Sequence, residues 1–157
     1  MYKISLLVIF WFGTSHCEQL DTKYHISTDS QNWFQALINC KSAGLELASI
    51  PSEKEEANLE KFIKQNGYNL SDGYWISGTN LGNGDFYWAS TGNPIIYTKW
   101  YPGQPDNSKT EETLFRDENC IQFGMRKSTD ENLEPGWNDL FCKFKLRYIC
   151  QEIDNCL

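Results

Sequence analysis

The sequence predicts an α+β fold within one domain, on three observations. Apolar residues recur at helical spacing in two segments, both before Gly67. Beyond Gly67 the texture changes to short apolar runs between glycine, asparagine and proline turns, the order expected when helices and antiparallel strands segregate. The length of 157 residues, with 40% hydrophobic and 15% aromatic residues, suits one packed core and rules out a multidomain enzyme.

At the N-terminus, Lys3 precedes the apolar run Ile4 to Phe12, and the small residues Gly13, Thr14 and Ser15 follow it. This is the layout of a secretory signal peptide, expected over residues 1–17 with cleavage after Ser15 or after Cys17. The run is too short to span a bilayer, and no later stretch approaches spanning length, so a secreted, extracellular protein is expected. Removal of Lys3 leaves 13 basic against 21 acidic residues, a net charge of −8 that would repel a phosphate backbone and excludes nucleic acid as a natural partner.

Tyr24 to Thr28 alternates and reads as a strand. Ser30 or Asn32 can cap the first helix, whose apolar stripe reads as Trp33, Phe34, Leu37 and Ile38 and which ends at Gly44. Glu46 to Ile50 is a short apolar segment. Ser52 and Glu55 then stand at capping-box spacing and start the second helix. That helix presents Leu59, Phe62 and Ile63 on one face, carries acids in its first turns and Lys61 and Lys64 in its last, and ends at Gly67. Short strands follow at Tyr74 to Ser77, Phe86 to Trp88, Tyr97 to Trp100, Cys120 to Gly124, Trp137 to Leu140 and Leu146 to Gln151. The stretch from about Pro102 to Asn119 has turn residues and charges without periodicity, and a loop that long in a compact domain is usually functional.

Enzyme chemistry has little material. The histidines are His16, at the signal boundary, and His25, in an early strand, so a His-Glu-x-x-His zinc motif is absent and a Ser-His-Asp triad unsupported. Gly82-Asn83-Gly84-Asp85 lacks the lysine of a phosphate loop and reads as a turn. The six cysteines (17, 40, 120, 142, 150 and 156) include no Cys-x-x-Cys pair, and in an oxidising compartment they should form disulfides, for which fifteen pairings are open. Cleavage after Cys17 would leave five.

What remains is a set of oxygen donors in the second half: Gln104 and Asp106 flanking Pro105, Glu118 just before Cys120, and Asn138-Asp139 after Trp137. A hard cation such as calcium takes several carboxylate and amide oxygens at loop positions, and this set offers three carboxylates and two amides. Solvated turn residues have the same composition, so spacing by itself leaves both readings open.

The motifs Trp75-Ile76-Ser77-Gly78, Phe86-x-Trp88, Trp100-Tyr101-Pro102-Gly103-Gln104-Pro105-Asp106-Asn107, Glu118-Asn119-Cys120, Trp137-Asn138-Asp139, Cys142 and Tyr148-Ile149-Cys150 closely resemble the C-type lectin domain. The likeness runs from about residue 24 to residue 152 and includes Leu45 to Ile50. With a signal peptide and no other module, the chain resembles small secreted invertebrate lectins associated with humoral defence.

The resemblance implies the double-loop fold, with Cys40 paired to Cys150 and Cys120 to Cys142. The chain ends of this fold lie together, so Cys17 and Cys156 could form a third disulfide if cleavage spares Cys17; otherwise Cys156 is an odd cysteine available for a homo-oligomer. The implied calcium ligands are Gln104, Asp106, Glu118, Asn138 and Asp139, with Pro105 cis, and Gln104, Asp106, Glu118 and Asn138 also meeting the sugar. The order Gln-Pro-Asp accompanies galactose-type sugars in this family and Glu-Pro-Asn accompanies mannose-type ones. Asn107 and Ser108 stand where a tryptophan would stack on galactose, and Phe115 or Tyr101 could substitute. Asn80, Asn83 and Asn107 replace more acidic residues, so one ion is expected rather than two. Trp75, Trp88 and Trp100 are expected in the core, and Trp137 as the anchor of the ligands after it. Asn69-Leu70-Ser71 is a glycosylation sequon. The expected function is calcium-dependent recognition or agglutination of cell-surface or microbial glycans; the alternative is a protein-interaction module on the same fold.

Overall fold

The computed structural model describes residues 23–109, 117–125 and 134–153. The expected signal segment, Cys17, Cys156 and Phe115 lie outside them. Seven strands, two α-helices and one 3-10 turn are described: β1 (Tyr24–Ile26), α1 (Trp33–Ser42), β2 (Glu46–Leu47), α2 (Glu53–Gln65), the 3-10 turn Leu70–Asp72, β3 (Tyr74–Thr79), β4 (Tyr87–Trp88), β5 (Cys120–Met125), β6 (Gly136–Leu140) and β7 (Arg147–Gln151).

Local chemistry explains the helix ends. Asn32 caps α1, accepting from the Gln35 N–H at 3.0 Å, and Ser52 caps α2, accepting from the Glu55 N–H at 3.3 Å. Glu55 in turn accepts from the Tyr24 hydroxyl at 2.8 Å, so its carboxylate ties α2 to the first strand. Gly44 and Gly67 follow the helices with φ of +76°, the left-handed conformation that closes a helix C-terminus.

The strands form one sheet in the order β1-β7-β3-β5-β6, with β2 also on β7 and β4 on β3. Most pairs are antiparallel; β3 and β7 run parallel. Strand β7 lies beside β1 near the start of the chain, pairing Tyr24 with Gln151. Here Cys40 of α1 bonds to Cys150 across a separation of 110 residues, while Cys120 and Cys142, 22 apart, bracket β5 and β6.

Two apolar clusters fill the interior. One joins Leu59 and Ile63 of α2 to Tyr74, Ile76, Trp88, Phe123, Trp137 and Ile149; the other joins α1 to Trp75 and the four described cysteines. Burying tryptophan requires a partner for its N–H. Trp33 donates to the Ile76 carbonyl at 2.8 Å, and Trp75 to that of Gln31 at 3.0 Å.

Two expectations are corrected. The buried face of α1 is Trp33, Ala36 and Cys40, whereas Phe34 and Ile38 point outward at 38% and 54% exposure. The Cys40–Cys150 bond and the Trp33 hydrogen bond set the rotation of the helix, and apolar spacing alone could not distinguish two overlapping stripes. The segment Tyr97 to Trp100 is not a strand; it makes a single parallel bridge, Trp100 to Trp137. Trp100 is accordingly half-buried, stacked at a tilt on Phe86, while Trp75, Trp88 and Trp137 are buried.

Candidate functional site

The site is built where two backbone arms meet. One arm is the segment from Lys99 into the loop at Gln104; the other is β6. The Trp137 N–H donates to the Lys99 carbonyl at 2.7 Å, and the Tyr101 N–H to the Trp137 carbonyl at 2.8 Å. Gly136 makes this approach possible, since a Cβ there would stand 2.6 Å from the Tyr101 nitrogen. Beyond the junction the first arm turns through the cis peptide Gln104–Pro105, and the second continues into Asn138 and Asp139. Pairing of β5 with β6 sets Ile121 opposite Asp139 and brings in Glu118, two residues before Cys120.

The carboxylates of Asp106, Glu118 and Asp139 converge, each offering an oxygen within 4.8 Å of the others. Glu118 and Asp139 are 6% and 2% exposed, and Asp106 lies at the surface. Like charges so close and so dry repel unless donors or a cation face them. Three consecutive backbone N–H groups supply part of this: Asp106 donates to Asp139 Oδ1 at 3.0 Å, Asn107 to Asp139 Oδ2 at 2.8 Å, and Ser108 to Glu118 Oε2 at 2.7 Å. Successive N–H groups turned to one side form an anion-binding concavity. Asn107, at φ +43°, makes that turn in a conformation asparagine tolerates better than most residues.

Of the five expected ligands, the three carboxylates therefore meet, and the two amides make hydrogen bonds of their own. Gln104 folds its Oε1 back onto the Asp106 N–H at 3.1 Å. Asn138 is buried and donates from Nδ2 to Gln122 Oε1 at 3.2 Å, which leaves its own oxygen as its acceptor. Asn107 has a role that the sequence did not disclose. Its Oδ1 accepts from the Glu118 N–H at 2.9 Å and its Nδ2 donates to Asp117 at 3.1 Å, clamping the loop to the lead-in of β5. An asparagine after a Pro-Asp turn was the available signal. Lys109 hydrogen-bonds Asp117 as well, holding that carboxyl below its usual range.

Elsewhere, Asn80 accepts from the Asn119 amide at 2.7 Å, and Asn83 and Asp85 bond each other. His25 lies on the surface, 4.0 Å from Glu152.

A family model described as the Lectin C-type domain matches residues 29–152. The chain belongs to the C-type lectin family. It is 31% identical to "Salivary C-type lectin 2" of Aedes albopictus, over 93% of this chain and 95% of that protein. The C-type carbohydrate-recognition domain of cow CD23, solved in the presence of a GlcNAc2Man3 oligosaccharide, superposes with a TM-score of 0.64 at 27% identity, covering 87% of this chain and 91% of that one. The C-type lectin domain of murine dendritic cell inhibitory receptor 2, solved in complex with N-glycan, gives 0.63 at 27% identity over 85% and 92%.

C-type lectins are generally non-enzymatic carbohydrate-binding modules, and their domains generally bind Ca²⁺. The donors of this C-type lectin fit that ion: converging carboxylates at a loop, with the Gln104 amide oxygen at the Asp106 N–H, are hard ligands of the kind calcium takes. No helix among the described residues is long and apolar enough to cross a membrane.

Proposed function

We propose that this C-type lectin is a secreted protein that binds galactose-type glycans through calcium held by Gln104, Asp106, Glu118, Asn138 and Asp139. The observation that carries the reading is the convergence of three carboxylates beside the Gln-Pro-Asp turn. The similarity to a salivary lectin over nearly the whole chain supports an extracellular role in recognising cell-surface or microbial glycans.

A bound calcium ion supplies electrostatic attraction for the oxygens of two neighbouring sugar hydroxyls. The chain's own groups orient those hydroxyls. Carboxylate oxygens of Asp106 and Glu118 accept hydroxyl hydrogens, and the amides of Gln104 and Asn138 donate to lone pairs. Asn138 Nδ2 carries two hydrogens, one of which goes to Gln122, so the other remains for a sugar. No bond is broken. Amide at 104 and acid at 106 place donor and acceptor in one order around the ion, and an inverted order suits a different hydroxyl arrangement.

Binding to a galactose matrix in calcium with release by chelator is the expected result; retention in chelator would refute binding through calcium. Exchanging the pair, as Gln104→Glu with Asp106→Asn, keeps charge and ligand count but swaps donor and acceptor. Each unpaired polar group costs about 1 to 3 kcal/mol, or about one to two decades of affinity, so competition should shift from galactose toward mannose. An unchanged order of preference would remove the Gln-Pro-Asp mechanism.

Asn69 is also proposed to carry an N-linked glycan. It is exposed, and its Oδ1 accepts from the Ser71 N–H at 2.9 Å, joining the two recognised residues of the sequon in one tight turn. The adjoining Leu70 packs against Gly124, at the end of β5 opposite Glu118, so a glycan there would leave the carboxylates open. Glycosidase treatment of secreted protein should lower its mass, and Asn69→Gln should abolish that shift; identical masses before and after treatment of the parent would refute the assignment.

A further inference from the structure

Glu56 is an acid buried to 3% exposure in the first turn of α2, outside the carboxylate cluster, and its side chain takes no part in capping the helix. An ionisable group so dry needs a reason. Its two oxygens face the two arms that build the site. Oε2 accepts from the Trp137 indole N–H at 3.0 Å, and Oε1 lies 3.9 Å from the Lys99 ammonium. Trp137 directly precedes Asn138 and Asp139, and Lys99 lies five residues before Gln104. The same two residues are joined by a backbone hydrogen bond, so Glu56 holds by side chain what the main chain already pairs.

We propose that Glu56 is a positioning residue for the site, spanning Trp137 on one arm and Lys99 on the other so that the loop bearing Gln104 and Asp106 stays in register with Asn138 and Asp139. The inference deepens the calcium-lectin reading and rests on it for the purpose of the site, though not for the geometry. The groups facing Glu56 are the Lys99 ammonium, the Trp137 indole, the Glu60 carboxylate one helical turn on and the Tyr97 phenol. Glu60 also hydrogen-bonds Lys99 and lies 3.8 Å from the Lys64 ammonium, so Lys99 is shared between two acids of one helix. Burial outweighs that cation and the indole and pushes the Glu56 carboxyl up to about 7. The charged form, which attracts Lys99, therefore predominates above that pH and gives way to the neutral acid below it.

Hydrogen exchange of the intact protein in chelator tests the positioning without any metal. The backbone amides of Asp106, Asn107 and Ser108, which donate to Asp139 and Glu118, report the register directly. Glu56→Leu should speed their exchange about tenfold while the amides of α2 stay protected, and Glu56→Gln, which keeps an acceptor for Trp137 but not the charge that attracts Lys99, should restore part of the protection. In parallel, calorimetry should show calcium affinity falling about tenfold in Glu56→Leu, as when a group supporting metal ligands is lost. Exchange at those three amides unchanged in a folded Glu56→Leu protein, or acceleration confined to α2, would overturn the proposal.

Should Glu56→Leu fail to fold, the glutamine variant still decides. In the parent, protection of the three amides, corrected for intrinsic exchange, should weaken as pH falls from 8 to 6 with a midpoint near 7. Glu56→Gln should be flat across that range, and an identical profile in both would overturn the role. If the parent takes up no calcium yet the exchange results hold, the functional reading fails and the positioning stands.

Discussion

Asp139→Asn is expected to lower calcium affinity by two to three decades and to abolish calcium-dependent sugar binding. The substitution removes one of three converging charges and keeps nearly the same volume. It also reverses a hydrogen bond. Both carboxylate oxygens of Asp139 accept from backbone N–H groups, of Asp106 at 3.0 Å and of Asn107 at 2.8 Å. An asparagine must turn its NH₂ toward one of those donors, leaving a buried group unpaired at a cost of about 1 to 3 kcal/mol. That cost falls on the ion-free and ion-bound forms alike and lowers stability; the lost attraction to the ion is what lowers affinity, and about 3 to 4 kcal/mol corresponds to the expected two to three decades. The fold should survive, because β6 is held by its backbone pairing with β5 and by the Cys120–Cys142 bond. Calorimetry against calcium, with circular dichroism as the control, gives the result. A folded variant with affinity within threefold of the parent would place the ion elsewhere.

The largest effect on stability is expected from removing Cys40–Cys150. Cross-linking restricts the unfolded chain, and for a separation of 110 residues the chain-entropy model assigns about 4 to 5 kcal/mol, against about 3 kcal/mol for the 22-residue separation of Cys120–Cys142. The longer bond joins α1 to β7, which is flanked by β1 and β2, so its loss loosens the closure of the chain on itself. For a domain of this size the melting temperature should fall by about 10 to 20 °C in Cys40→Ala/Cys150→Ala. Cys120→Ala/Cys142→Ala should melt higher than that variant. It should lose more calcium affinity, however, because Cys120 follows Glu118 by two residues and Cys142 follows Asp139 by three. Calorimetric melting in chelator checks the order of stabilities, and the reverse order would contradict the closure argument.

The parts of the fold legible in the sequence are those set by short-range chemistry. Asn32 and Ser52 cap their helices through the N–H three residues on, and Gly44 and Gly67 close them at positive φ, so each signal and its consequence lie within one turn of chain. The amphipathic face of α2 was equally readable, since Leu59 and Ile63 are both buried and repeat at helical spacing. On α1 apolar spacing points to Phe34 and Ile38, which face outward. Two stripes there differ by one residue in phase, and a disulfide to a partner 110 residues away chose between them.

The sequence by itself determined the residue types that the chemistry needs: hard oxygen donors, a proline between Gln104 and Asp106, tryptophans for the core and cysteines near the ligands. Tertiary structure alone decided that Asp106, Glu118 and Asp139 meet within 4.8 Å, that Asn107 clamps their loop, and that Glu56, which reads as an ordinary acid near a helix N-terminus, lies buried between Trp137 and Lys99. The physical reason is range. Caps and turns are settled by neighbours along the chain, whereas the repulsion among converging carboxylates and the desolvation of a buried acid arise only when segments far apart in sequence are brought together, and their sign depends on which donors come with them.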